Sequence, residues 1–494
     1  MSDYRERTYS AGSRPRSEGL FGLSWVAMLT ADAMIIVVVL TQAVFGLRAA
    51  AITLAVGVVI TAPLVIQIGG RTGYVRALLL WQWWRGGRRG EHFYRSGSFS
   101  AIPGGAARLP GLLAPTRLYE SRTVDGHRFG MIHLPRFDEY TVVLHAWPQG
   151  GEAVDQDLID QWVAAWGSFL ASLGSAPDVK AIVAVVDTVP ETGNRLLAEV
   201  ATLTRPDAPD LAAQVMGELA DQLATERVQL DARIAITFEA TTPERREIPA
   251  EQALEIGRRL PGILAAVAEA GVRATPMTAA QITSFVRRAY DPAAQPDLEA
   301  AATDPAGHGV DWSMAGPVDE RQCYDRLEHA GAVSITWEMT RAPAGVVDER
   351  VLERLLAPNP DLPRKRVAVV YRPHSAAEAT HIVDSDYRNA RVAEQNTRGG
   401  LVSAAAGIRV ATAEQARQEQ ARGHGLTRYG ILITLTTPRG DDLPRLDALV
   451  HDLSTQARLS IRRCHAYQSA AFAAGLGVGV ILPEHATTPE TLEG

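Results

Sequence analysis

At 494 residues the chain exceeds the size at which one hydrophobic core stops growing, so two or more domains are expected. Its two cysteines, Cys323 and Cys464, exclude a disulfide framework and a CxxC metal site, and they fit a reducing compartment. Charge is split along the chain: residues 1–100 hold eleven Arg against Asp3, Glu6, Glu18, Asp32 and Glu91, a net of +6, so the −7 of the whole leaves −13 on residues 101–494. A basic head on an acidic body assigns contact with an anionic surface to the head.

Residues 1–22 form a basic tail with Arg5, Arg7, Arg14 and Arg16. Residues 25–47 and 49–68 are apolar runs of about the 20 residues that an α-helix needs to cross roughly 30 Å of hydrocarbon. Only Gly46, Leu47 and Arg48 stand at the turn, so residues 23–69 read as an antiparallel two-helix transmembrane hairpin. Two full-length runs argue against a cleavable signal peptide. Ten Arg flank the pair, the four of the tail and Arg71, Arg76, Arg85, Arg88, Arg89 and Arg95, against Arg48 alone at the tip. The positive-inside rule then expects a multi-pass protein of the cytoplasmic membrane with both termini in the cytoplasm.

Asp32 is the one acid within these runs, roughly 10 Å deep if the helix starts at Trp25. Either it meets a polar group of another membrane subunit, or the helix starts later and Asp32 lies near the headgroups. After the second run, Trp81, Trp83 and Trp84 stand beside Arg85, Arg88 and Arg89, an aromatic and basic collar suited to headgroups and lipid phosphates. RGGRRG also resembles a nucleic-acid-binding stretch, but its closeness to the bilayer favours lipid, and no direct nucleic-acid binding is expected.

Residues 70–111 read as collar and linker, with Gly, Pro and Ser concentrated over 96–115. An α+β domain is expected over 112–302. Its strands are 129–134, 139–148, 179–189 and 232–241, the third a nearly continuous β-branched run. Its helices are 154–174, 190–203, 208–226 and 250–271, with Trp162 and Trp166 as core residues and Pro261 as a kink. Residues 303–321 read as a linker. A second α+β domain follows over 322–482, with strands 332–340, 364–373, 428–437 and 459–468 and helices near 347–357 and 443–458. A helical hairpin broken at Gly399 and Gly400 projects from it over 375–425, and residues 483–494 are a tail. The fold class expected is a membrane α-hairpin with a cytosolic α+β body of ferredoxin-like β-α-β modules, two in number or merged in one discontinuous domain.

Chemistry is absent from this pattern. A P-loop needs a Lys after its Gly-rich loop, and neither Lys180 nor Lys365 follows a Gly. GLGVGV (475–480) leads to ILPEH and not to a helix. The twelve His are scattered without HxxxH or HExxH spacing, and there is no G-x-S-x-G elbow. Asp384 and Asp386 suit capping better than catalysis. The chain is expected to be no enzyme, with no catalytic, cofactor-binding or metal-binding residues and no cofactor.

GLSW (22–25), HFYRS (92–96), LPGLLAPTRL (109–118), QWVAAWGSFLASLG (161–174) and GLGVGVILP (475–483) together resemble an actinobacterial family of two-pass, PrgI-like membrane proteins from conjugative and type IV secretion loci. A subunit of a type VII secretion system, EccE, also pairs a membrane hairpin with a cytosolic α/β body and is the second resemblance. The first implies a structural translocon subunit whose partners are membrane lipids, the secretion ATPase of the same locus and other membrane subunits, in a homo- or hetero-oligomer. It carries over no catalytic residue.

Overall fold

The computed structural model describes residues 9–10, 25–65, 67–68, 71–100, 105–149, 154–193, 200, 202–203, 205, 209–223, 228–302, 307–343, 346–396, 404–421 and 425–486. Most of the basic tail, half of the helix expected over 190–203, the break at Gly399 and Gly400 and residues 487–494 lie outside them.

Two apolar helices come first, α1 (Trp25–Phe45) and α2 (Leu47–Val65), each long and apolar enough to cross a membrane. A short ladder, Gln67–Ile68 with Arg71–Thr72, leads into α3 (Gly73–Arg88).

The rest is built on one antiparallel sheet. Its strands are β1 (Phe93–Arg95), β2 (Arg117–Arg122), β3 (Arg128–Leu134), β4 (Glu139–Pro148), β5 (Val179–Pro190), β6 (Val228–Glu239), β7 (Val272–Pro276), β8 (Asp319–Gln322), β9 (Leu327–His329), β10 (Ala332–Arg341), β11 (Lys365–Pro373), β12 (Thr427–Pro438) and β13 (Ser460–Arg463). Across the sheet the order is β1-β8-β9-β10-β12-β11-β5-β6-β4-β3-β2, with β7 beside β4 and β13 beside β10.

This order contains one arrangement twice. In the first half, β4, β5, β6 and β7 lie in the spatial order fourth, first, third, second; in the second half, β10, β11, β12 and β13 do the same. Each half has a long helix between its third and fourth strands, α6 (Pro249–Glu269) and α11 (Leu443–Gln456), and helices inserted between its second and third. Those inserts are α5 (Asp210–Leu223) in the first half and α9 (Ala376–Asn396) with α10 (Ala404–Ala421) in the second. The second strands of the halves join them, β5 against β11 from Ile182↔Tyr371 to Asp187↔Arg366. The two halves therefore share one sheet, and β8 begins within the stretch 303–321.

Alternation of side chains explains the two cores. On one face, α4 (Gln156–Gly174) and α6 bury Phe169, Leu173, Ile256 and Leu260 against Ile182 and Ile236, and α11 buries Val450 against Ile335 and Ile433. Trp166 packs on Phe169 and Tyr371, a core role as expected. The other face is covered by α7 (Ala279–Tyr290), the neighbouring α8 (Gln295–Ala301), the segment around Leu109 and Leu113, α12 (Gln468–Gly475) and the chain after it.

Three expectations are corrected. The Gly- and Pro-rich stretch at 96–115 is no free linker, because Leu109 and Leu113 are 2% and 0% exposed and plug the core. The strand expected over 459–468 stops at Arg463: the backbone turns at Ala466 (φ 72°), and α12 begins at Gln468. The helix expected over 347–357 is only Glu353–Leu356, since Val346–Val347 pair with Tyr9–Ser10 and Pro358 and Pro360 follow.

GLGVGV has a packing explanation. It crosses the sheet so closely that a Cβ on Gly477 would stand 2.9 Å from Val185 Cγ2, and one on Gly479 2.2 Å from Thr141 Oγ1. Both have φ in the left-handed region, +71° and +91°. Val478 and Val480 are buried beside them.

Candidate functional site: the clasp between the apolar helices and the sheet

The apolar hairpin is tied to the sheet through α3 and the residues around it. Thr72 caps α3, its hydroxyl accepting from Val75 N at 3.5 Å. The Tyr74 hydroxyl donates to the Ile60 carbonyl of α2 at 2.9 Å, so α3 is fastened to the end of the hairpin.

Arg71 then reaches the second half of the sheet. Its Nη2 donates to the Tyr467 hydroxyl at 2.7 Å and to Glu338 Oε1 at 3.3 Å, and its guanidinium lies 5.0 Å from the centre of the Tyr467 ring. The Tyr467 hydroxyl donates to the same carboxylate oxygen at 2.6 Å, and Arg462, the cross-strand partner of Glu338, pairs with it too. Burial opposes the charge on Arg71, but Tyr467 and Glu338 outweigh it and hold the group above its ordinary value. Burial pushes the Tyr467 hydroxyl and the Cys464 thiol well up, so both stay protonated beside the ion pair. A partly buried guanidinium and carboxylate joined by three donors make a fixed joint, not a loose surface contact.

A second tie is made by backbone. β1, four residues beyond α3, pairs with β8 from Phe93↔Arg321 to Asp319↔Arg95. Trp83 stacks on His92 with ring centroids 3.5 Å apart and meets the edge of Tyr324 at 5.8 Å. The glycines of RGGRRG permit this approach. A Cβ on Gly86 or Gly87 would stand 3.2 Å from His92 ring atoms.

The collar residues therefore divide. Trp83 turns to the sheet. Trp81 and Trp84 are 50% and 54% exposed, with Arg85 5.3 Å over the Trp81 ring and Arg88 4.1 Å over the Trp84 ring. At three- and four-residue steps Trp81, Trp84, Arg85 and Arg88 form one helical face, and exposed Arg89 pairs with Glu91 at 3.6 Å. Asp32 is exposed on the second turn of α1, which begins at Trp25. It pairs with no cation among the described residues.

Glu338, Arg462 and Tyr467 were not singled out from sequence. Their signal is a lone acid within an apolar strand, AVSITWEMT, which calls for a buried cation. Among the described residues no group of three or more His, Cys, Asp or Glu could hold a metal ion. Cys323 and Cys464 are free thiols.

A family model described as "Domain of unknown function (DUF8461)" matches residues 16–75, the hairpin and its approach to α3 but none of the thirteen-stranded sheet. No curated protein matches the chain.

Proposed function

We propose that this chain is a non-enzymatic, membrane-anchored structural subunit of a bacterial type IV-like secretion or conjugation translocon, and that it holds the cytosolic ATPase of its locus at the membrane. In this reading α1 and α2 cross the cytoplasmic membrane with both termini inside, and Trp81, Trp84, Arg85, Arg88 and Arg89 meet lipid headgroups. Each half of the sheet is a ferredoxin-like βαββαβ module with helices inserted between its second and third strands. The strand order fourth-first-third-second supports that reading.

The observation that carries the proposal is the clasp. Two apolar helices are joined through Arg71, Glu338 and Tyr467, and through β1, to a broad acidic sheet, as a platform at a membrane requires. The motif resemblance supplies the secretion context, and the −13 on residues 101–494 favours a basic protein face over nucleic acid.

The candidate ATPase contact is the pair α9 and α10. They are held to each other by polar groups, Arg417 to Asp384 at 3.2 Å and Gln420 to Thr380 at 2.8 Å, with the Arg391 and Arg417 guanidiniums beside Tyr387. Purification of the full chain with the neighbouring ATPase tests this. The expected result is capture that is lost when α9 and α10 are replaced by a short turn, and no ATP hydrolysis by the chain alone. Undiminished capture by that variant overturns the contact, and hydrolysis or tight ATP binding overturns the non-enzymatic role. Capture of an FtsK-like ATPase instead would transfer the proposal to a type VII system.

A further inference from the structure

Where the two halves of the sheet meet, charge is buried in the middle of the molecule. Asp187 on β5 accepts from Arg366 Nε on β11 and from Arg233 Nη2 on β6, both at 3.1 Å, and the three residues are 6%, 6% and 1% exposed. Arg288, near the end of α7, pairs with Asp231, which also lies 3.6 Å from His145. Arg364 donates to Gln295 at 2.6 Å, and Gln295 donates in turn to Glu299 at 2.6 Å. The cluster thus sets four guanidiniums, those of Arg233, Arg288, Arg364 and Arg366, against three carboxylates, those of Asp187, Asp231 and Glu299. One positive charge is left without a counter-charge.

Beside this cluster lies a cavity of about 20 Å³, lined by Asp187, Thr188, Arg288, Arg364, Arg366 and Thr436, room for one or two groups of water size. Arg366 Nη1 is buried and has no hydrogen-bond partner. The second donor of this kind, Arg233 Nη1, belongs to a guanidinium 4.4 Å from the centre of the Phe285 ring, while the Arg366 guanidinium lies farther, 5.4 Å, from the centre of Phe472. Burial, and then Arg288, push Arg364 down to about 10, the direction expected of a cation in a field of other cations. Asp187 does not offset the excess: although burial opposes its charge, Arg366, Arg233 and Arg288 hold it ionised, and the surplus remains after it is counted.

A buried guanidinium with a bare donor costs free energy unless something accepts from it. Water would satisfy the donor but leave the charge. A small anion satisfies both. We propose that the cavity at the seam of the two sheet halves binds one monatomic anion, chloride under ordinary conditions, held among Arg288, Arg364 and Arg366. The ion ties β5, β11 and the α7–α8 corner together, and so fastens one half of the sheet to the other.

The test uses the full chain in detergent micelles, melted in sodium gluconate, chloride and bromide at constant ionic strength. Each tenfold rise in halide above its dissociation constant should raise the melting temperature by roughly 2 °C in the wild-type chain. The rise should vanish in Arg366→Gln, and also in Arg364→Gln, which leaves both donors to Asp187 in place and serves if the first variant does not fold. Crystals soaked in bromide should show an anomalous peak within the cavity. Melting curves that coincide in gluconate and chloride overturn the proposal and assign the cavity to water. A halide-dependent rise that survives in a folded variant overturns it too, because the ion then binds elsewhere.

Discussion

Arg71 is the residue at which the apolar hairpin meets the sheet, and its side chain is only 14% exposed, against 19% for Glu338. Arg71→Ala leaves Glu338 with Arg462 and Tyr467, so no carboxylate is orphaned. The expected loss is therefore moderate, about 1–2 kcal/mol, seen as a lower melting temperature of the full chain. Lys should rescue it only in part, because a point charge cannot reach Tyr467 and Glu338 as a fork does. A second residue-scale prediction concerns Glu139 and Glu484, where the chain after α12 returns to β4. Burial, and then the neighbouring Glu484, push the Glu139 carboxyl up to about 8. The folded state thus holds a proton that the unfolded chain releases near pH 4.5, the ordinary value. Stability from this pair is fully present below pH 4.5 and is lost as pH rises towards about 8, with a slope of at most ~1.4 kcal/mol per pH unit. Glu484→Gln supplies a neutral donor and should flatten the fall in melting temperature between pH 5 and 8. Parallel wild-type and variant curves would contradict this. His329, lowered to about 4 by burial, acts in the opposite sense: its neutral folded form loses stability as pH falls from 6.5 to 4, and it cancels between the two chains.

At the scale of elements, what was legible depended on how strongly one period dominated. β5 reads VKAIVAVVDTVP, a β-branched run that only a buried strand accommodates, and α4 and α6 carry apolar residues at helical steps. β2, RLYESR, was not read: as the far edge strand of the sheet it is charged and half exposed, so its pattern resembles a loop. α7 was missed although its signal was present, a capping box of Thr278 and Gln281 ahead of Ile282, Phe285 and Val286. The composition of α3 points to a collar, while the helix itself is marked only by the three- and four-residue spacing of its Trp and Arg. Their spacing separates their roles, and this separation is testable. Trp81→Ala with Trp84→Ala should weaken binding of a chain beginning at Arg71 to anionic vesicles, as should Ser at Arg85, Arg88 and Arg89, at roughly 1 kcal/mol for each arginine. Trp83→Ala should leave vesicle binding intact and lower the melting temperature, because its ring rests on His92. Equal loss of vesicle binding in the Trp81/Trp84 double variant and in the Trp83 variant would contradict the assignment.

At the scale of the whole molecule, the repeated strand-helix order was legible in the sequence, while the join between the repeats was not. Pairing of β5 with β11 is a contact between residues some 180 positions apart, such as Asp187 and Arg366, and nothing in either strand's own pattern names its neighbour. The buried charges at this join, Asp187 among Arg233 and Arg366, were hidden for the same reason: each is a lone charge in an apolar strand until the sheet assembles them. The clasp likewise needs Arg71, Glu338 and Tyr467 to meet across nearly 400 residues of chain. Once assembled, these joints make the hairpin, the two halves and the C-terminal crossing one mechanical unit. The proposed function requires that unit to be held in a membrane with its sheet on the cytoplasmic side. Reporters fused after Arg48 and after Gly494 decide this: an external signal at Arg48 with a cytoplasmic one at Gly494 is expected, and a cytoplasmic signal at Arg48 overturns the membrane placement.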